Sequence, residues 1–187
     1  ADADMLPLGH IGLRAERGDD RQSRLTEDES RTLLALWCMG RSPLMVGGDL
    51  PTSTSETIEL LANPALREVT AGSTNNHETV YERIFERWDD ENSYLGDLVV
   101  WAADAADWAD GTPSAHSGGH YAAIFWTGDR DYELPATIEL QSIVGLSQRN
   151  DPWTITNLFD DETNATGETD VTGARIEGEG EDRVIRG

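Results

Sequence analysis

Lysine is absent from this chain. All 14 basic side chains are arginine, and 36 aspartates and glutamates oppose them, for a formal net charge of −22. A surface this acidic repels nucleic acid and anionic lipid, so neither is expected as a partner. Cysteine is nearly absent. The single Cys38 excludes an internal disulfide, and its place in Leu36-Trp37-Cys38-Met39 makes it a small core residue instead of a reactive thiol. There is no run of eighteen apolar residues, which excludes a transmembrane helix. The start carries no basic segment followed by an apolar one, and Ala1 is expected to be an internal cut.

What is present is a chain of 187 residues with 37% apolar side chains, enough for one large domain or two small ones. The acids are interspersed among apolar segments, which is not the pattern of an acidic disordered tail. Dense carboxylates without lysine suggest a protein adapted to high salt, where the Debye length falls to about 3 Å at about 1 M. An acidic protein from an ordinary environment is the other reading.

Residues 1–70 alternate strand and helix. A short strand end and a loop over Gly9–Arg24 lead to a helix capped by Thr26 and Glu29, with Leu25 as a hydrophobic staple. Leu33, Leu34, Leu36 and Trp37 form its apolar face, and Gly40 ends it. Ser42–Val46 reads as a strand buried on both faces. Ser53 and Glu56 form a second capping box, and Asn63-Pro64 closes that helix. This alternation is the grammar of a parallel α/β sheet or barrel.

After about residue 75 strands dominate. They are expected at Leu98–Ala102, Tyr121–Trp126, Ala136–Leu140, Trp153–Phe159 and Arg183–Ile185, in an antiparallel sandwich with Greek-key links. Ala103–Gly119 and Asp160–Asp182 are polar connections.

Asp2 and Asp4 are the sharpest candidates for chemistry. On an extended segment they would face one side, with α-carbons about 6.6–6.8 Å apart. Paired carboxylates can cleave glycosides, hold sugar hydroxyls or bind a metal; a solvated acidic segment looks the same. His10, His77, His116 and His120 lack metal-ligand spacing. Trp101, Trp126 and Trp153 read as core, Trp88 is unassigned, and Trp108, in an acidic loop, is the one to test for sugar stacking. Asn164-Ala165-Thr166 is a sequon, a weak signal alone.

Asp2-Ala3-Asp4-Met5-Leu6-Pro7-Leu8-Gly9-His10-Ile11-Gly12, the helix Thr26–Trp37, and Arg41-Ser42-Pro43-Leu44-Met45-Val46-Gly47-Gly48-Asp49-Leu50 together resemble glycoside hydrolase family 27, the α-galactosidases and α-N-acetylgalactosaminidases. Ala3 stands where the family usually has proline, and Thr70–Asn76 departs from its usual Asn-Gln-Asp-like turn. The resemblance covers about the first 70 residues. It implies α/β followed by all-β: residues 1–75 as the last two βα units of a (β/α)8 barrel, and 76–187 as an antiparallel β-sandwich. It also implies that Asp4 and Met5 line a sugar pocket, that Asp2 supports them, and that no metal or cofactor is needed. Family chemistry is retaining and uses two carboxylates about 5–5.5 Å apart. Neither has a counterpart in this chain, so no catalytic residue is assigned. The carbohydrate substrate and the missing barrel segment, or an oligomer partner, are the implied partners. The isolated chain is expected to be inactive. The alternative is a non-catalytic accessory or carbohydrate-binding β-domain carrying a barrel remnant.

Overall fold

The computed structural model describes residues 2–12, 19–88, 91–114, 116–128, 138–139, 153–159, 162–167, 175–179 and 182–186. It divides into two compact units, residues 1–73 with 106–117, and residues 74–105 with 118–187. No described helix is long and apolar enough to cross a membrane.

In the first unit, Leu6 and Val46 form an isolated parallel bridge. The Leu6 N–H donates to Met45 O at 2.8 Å, and the Gly47 N–H donates to Leu6 O at 2.9 Å. Leu6 is wholly buried. Ser42–Val46 is not buried on both faces, since Met45 is 45% exposed. The stretch expected to be a loop over Gly9–Arg24 contains a small antiparallel pair, β1 (His10–Ile11) with β2 (Arg21–Gln22). Gly12 turns the chain towards it at φ +79°, where a Cβ would overlap the carbonyl of Asp19.

Helix α1 (Glu27–Met39) begins with the capping box read from Thr26 and Glu29. The Glu29 N–H donates to Thr26 Oγ1 and the Thr26 N–H to Glu29 Oε2, so two orphan donors are satisfied reciprocally. Its buried face is Leu34, Cys38 and Met39, which packs on helix α3 (Pro64–Gly72). Leu34 and Cys38 are one helical step of four apart; Leu36 lies off that row and is 39% exposed. Burial pushes the Cys38 thiol pKa up, against a smaller opposite effect of a hydrogen bond with Thr70, so the thiolate is disfavoured.

Helix α2 (Ser55–Ala62) starts one residue later than expected. Thr54 caps it by accepting from the Thr57 N–H, whereas Ser53 is engaged elsewhere, accepting from the His10 N–H and donating to Asp49 O. Asn63 ends α2 and also begins α3, its side chain accepting from the N–H groups of Ala65 and Leu66. Pro64 at the first helical position suits a helix start as well as a stop, which is why the sequence shows one helix ending and not the next beginning.

In the second unit, β3 (Ser73–Trp88), β4 (Glu91–Ala105) and β5 (His120–Trp126) form a sheet in that order. β4 and β5 are antiparallel, with Leu98 opposite Trp126 and Val100 opposite Ile124. Buried Leu98, Val100 and Ala102 alternate along β4. A second sheet has the order β10-β9-β6, with β6 (Ile138–Glu139), β9 (Arg175–Glu179) and β10 (Asp182–Arg186) paired antiparallel. β7 (Trp153–Asn157) pairs antiparallel with β8 (Glu162–Gly167). β8 and β9 lie inside the stretch expected to be a polar connection. Their many polar side chains hide the apolar alternation by which a strand is read. The remainder of the expected strand Ala136–Leu140, outside 138–139, lies outside the described residues, as does the Trp153 side chain.

Candidate functional site

Asp2, Asp4 and Met5 run up to the Leu6–Val46 bridge in the first unit, and all three are exposed. They do not form the extended segment that the alternating carboxylates suggested. Asp4 sits at φ +73°, in the left-handed region that aspartate and asparagine tolerate better than most residues. Such a conformation costs energy and persists where surrounding contacts enforce it. Here the contacts are specific. The Asp4 N–H donates to Asp2 Oδ1 at 3.0 Å, and the Met5 N–H donates to Asp4 Oδ1 at 2.7 Å. The indole Nε1–H of Trp37 on α1 donates to the Asp4 carbonyl at 2.9 Å. The Ala3 N–H donates to the buried Ser42 hydroxyl at 2.9 Å.

The turn therefore fixes one oxygen of the Asp4 carboxylate against its own backbone, and Asp4 Oδ2 makes no hydrogen bond among the described residues. Beside it Met5 is 56% exposed, a polarisable apolar surface. An accepting oxygen next to an apolar wall can hold a hydroxyl group against a C–H face. Asp2 acts on the backbone of the turn, accepting from the Asp4 N–H. Trp37 and Ser42 belong to the same support. Trp37 read only as part of an apolar helix face, and nothing local ties it to a residue 33 positions away.

A second polar network surrounds His10. Its Nδ1 shares a hydrogen bond with Thr52 Oγ1 at 2.6 Å, and its Nε2 contacts the Asp20 carboxylate. The Thr52 hydroxyl donates in turn to Asp49, and the Asp49 N–H donates to His10 O. These bonds fasten β1 to the Asp49–Ser53 turn. In the 106–117 loop, the Ser114 hydroxyl donates to Glu68 Oε1 at 2.6 Å, and His116 Nε2 lies 4.0 Å from Glu68 Oε2. In the second unit, His120 Nδ1 is 3.1 Å from Asp104 Oδ1. His77 Nδ1 lies 2.6 Å from Asn75 O. Each histidine thus has a local partner. Trp108 does not stand out as a free stacking plate; it is half-buried, and a Cβ on Gly72 would lie 3.2 Å from its ring. Trp126 is half-buried too, with its ring against Gly96 and Gly128.

No protein-family model matches the chain. Over 68 residues, 36% of this chain and 14% of the relative, it is 35% identical to the α-N-acetylgalactosaminidase of Rattus norvegicus. Its fold is similar to that of a β-L-arabinopyranosidase of glycoside hydrolase family 27 from Geobacillus stearothermophilus, at TM-score 0.65 and 28% identity over 94% of this chain. It is likewise similar to a Bacillus halodurans C-125 protein assigned as an α-N-acetylgalactosaminidase, at TM-score 0.64 and 28% identity over 88% of this chain. The chain spans 34% and 32% of those two solved chains. The likeness to glycoside hydrolase family 27 is thus supported by a sequence relative and by solved structures. The chain is similar to glycoside hydrolases, and its antiparallel sheets agree with that likeness.

Proposed function

We propose that this chain is the C-terminal portion of a retaining α-galactosidase-like glycoside hydrolase acting on terminal α-linked galactose-type sugars. Residues 1–75 supply the last two βα units of its barrel, and residues 76–187 a β-sandwich with Greek-key links. The observation that carries the reading is the left-handed Asp4 turn, held by Asp2 and Trp37 beside exposed Met5. In this reading Asp4 Oδ2 accepts from a sugar hydroxyl, Met5 lies along the apolar face of the ring, and Asp2 keeps Asp4 in place. The nucleophile and the acid/base are carboxylates of the upstream barrel. That segment would also cover the aliphatic side chains the first unit exposes, among them Met45, Leu50 and Ile58.

Asparagine is also tolerated in the left-handed region, so Asp4→Asn removes the charge and leaves the turn. In the intact enzyme it should lower kcat/KM on aryl α-galactosides by about a hundredfold, the scale of a misplaced substrate. Asp2→Glu, which keeps an acceptor, should cost far less. Small and equal losses for the two variants would return Asp4 to a solvated acid.

The charge of −22 without lysine supports a second part of the reading, adaptation to high salt. Going from about 0.1 M to about 1 M salt shortens the Debye length from about 10 Å to about 3 Å and screens the self-repulsion. The melting temperature should rise over that range. An unchanged or falling value removes this part and leaves the enzymatic one standing.

A further inference from the structure

Among the described residues, the second unit exposes three large aromatic side chains, Tyr81 at 51%, Phe85 at 52% and Tyr94 at 54%. They are not scattered. Phe85 and Tyr94 meet edge to face with ring centroids 5.8 Å apart. The Tyr81 hydroxyl donates to Asp97 Oδ2 at 3.2 Å. Tyr94 is hydrogen-bonded to the same carboxylate, which pushes its phenol pKa up. Arg83 Nε donates to the Tyr81 hydroxyl at 3.3 Å and lies 3.9 Å from Asp97 Oδ1. The Asp97 N–H donates to Thr127 Oγ1 at 3.0 Å, which ties the hub to the end of β5. Asp97 is the centre, with its side chain 20% exposed, and the rings stand around it.

We propose that Tyr81, Phe85 and Tyr94, with Asp97 and Arg83 between them, form a sugar-binding platform on β3 and β4. Three features point to a neutral, hydroxyl-rich ligand. Ring faces offer apolar, polarisable area to the C–H side of a pyranose. The exposed Arg83 guanidinium and the Tyr81 and Tyr94 hydroxyls, held in place by the mostly buried Asp97, offer donors and acceptors to its hydroxyls. The charges of Asp97 and Arg83 oppose each other locally, and the chain as a whole is strongly acidic, so an anionic ligand would be repelled. An apolar protein face is a poor occupant, because it would strip water from Asp97 and Arg83 and return no hydrogen bonds. The platform uses none of the residues assigned to the Asp4 turn. Only the choice of a galactose-type probe rests on the glycosidase reading.

The test is a protein-detected NMR titration of the intact protein with methyl β-D-galactopyranoside, whose β-linkage an α-galactosidase does not cleave. Resonances of Phe85 and Tyr94 should shift saturably. Phe85→Ala and Tyr94→Ala should each weaken that site by about tenfold, the loss expected for truncating a well-placed aromatic anchor. Tyr81→Phe keeps the ring and removes the hydroxyl, so it should weaken binding less. These side chains are exposed, and unchanged circular dichroism in the variants checks that the sheet persists. Two results overturn the proposal. One is the absence of any saturable shift at Phe85 and Tyr94. The other is protection of these rings from a soluble paramagnetic probe in the sugar-free protein, which would mean that protein covers them. Neither readout involves turnover, so failure of the Asp4 prediction and failure of the platform are separate outcomes.

Discussion

Helix ends organise residues 1–73 and 106–117, whereas the described elements of residues 74–105 and 118–187 are paired strands. A helix end leaves orphan N–H groups that a neighbour in sequence can satisfy, and Thr26, Thr54 and Asn63 each do so within three residues. A strand leaves every second backbone group for a partner far along the chain, as Leu98 and Trp126 show. The cores differ accordingly. Among the described residues, the first unit buries chiefly Leu6, Leu8, Leu34, Met39, Leu66 and Val69; the sheet of the second buries Leu98, Val100, Tyr121 and Phe125 together with the small Ala102, Ala103 and Ala105. Among the described residues the exposed large apolar side chains differ as well, aliphatic in the first and aromatic in the second. Aliphatic exposure suits burial by more protein, and aromatic exposure around charged groups suits a polar ligand.

The largest effects are expected at glycines packed against backbone in each unit. A Cβ on Gly48 would overlap the carbonyl oxygen of Leu8 and crowd that of His10. Both are backbone atoms in the segment that carries the Asp4 turn, so neither can swing aside. Gly48→Ala should destabilise the protein by about 3 kcal/mol or more. In the second unit a Cβ on Gly96 would lie 2.7 Å from the Cα of Gly128 and 2.8 Å from the Trp126 ring. The Gly128 N lies at 2.7 Å too, and this backbone cannot swing aside, but the overlap is shallower than the 2.0 Å at Gly48, so Gly96→Ala should cost about 2 kcal/mol. Urea midpoints measure both, and hydrogen exchange shows where each loss falls. If Gly48→Ala loosens β4 as much as α1, the two units unfold as one and the distinction between them fails.

The same contrast explains what could be read from the sequence. Both N-terminal helices were legible because caps lie beside the segments they cap. The misplaced cap, Ser53 for Thr54, arose because Ser53 is bonded to His10, 43 positions away. β4 and β5 were visible as the apolar runs Leu98–Ala102 and Tyr121–Trp126. β3 was not, since Glu78, Glu82, Arg83, Glu86 and Arg87 interrupt its apolar positions. Tyr81, Arg83 and Phe85 of this strand belong to the proposed platform, so Arg83 both helps to hide the strand and is given a function. At the candidate site, Asp2 and Asp4 came forward as alternating carboxylates, and Met5 and the role of each residue through a family resemblance. The left-handed turn, Trp37 and Ser42 did not, because they depend on contacts across more than thirty residues.

The smaller test concerns how far local pattern can be trusted even in the first unit. Leu34 and Leu36 are both leucines of α1, and the apolar pattern placed both on one face. Leu34 is 2% exposed and Leu36 39%. A step of two residues turns about 200° around a helix, so one face cannot bury both fully. Leu34→Ala removes buried methyl groups between α1 and α3 and should cost about 3 kcal/mol. Leu36→Ala should cost less than about 1 kcal/mol, since much of its side chain already meets water and alanine is the better helix former. Equal losses in the intact protein would mean that another part of it covers Leu36. That result would turn the exposed aliphatic surface of the first unit into a buried interface and strengthen the case for an upstream barrel against it.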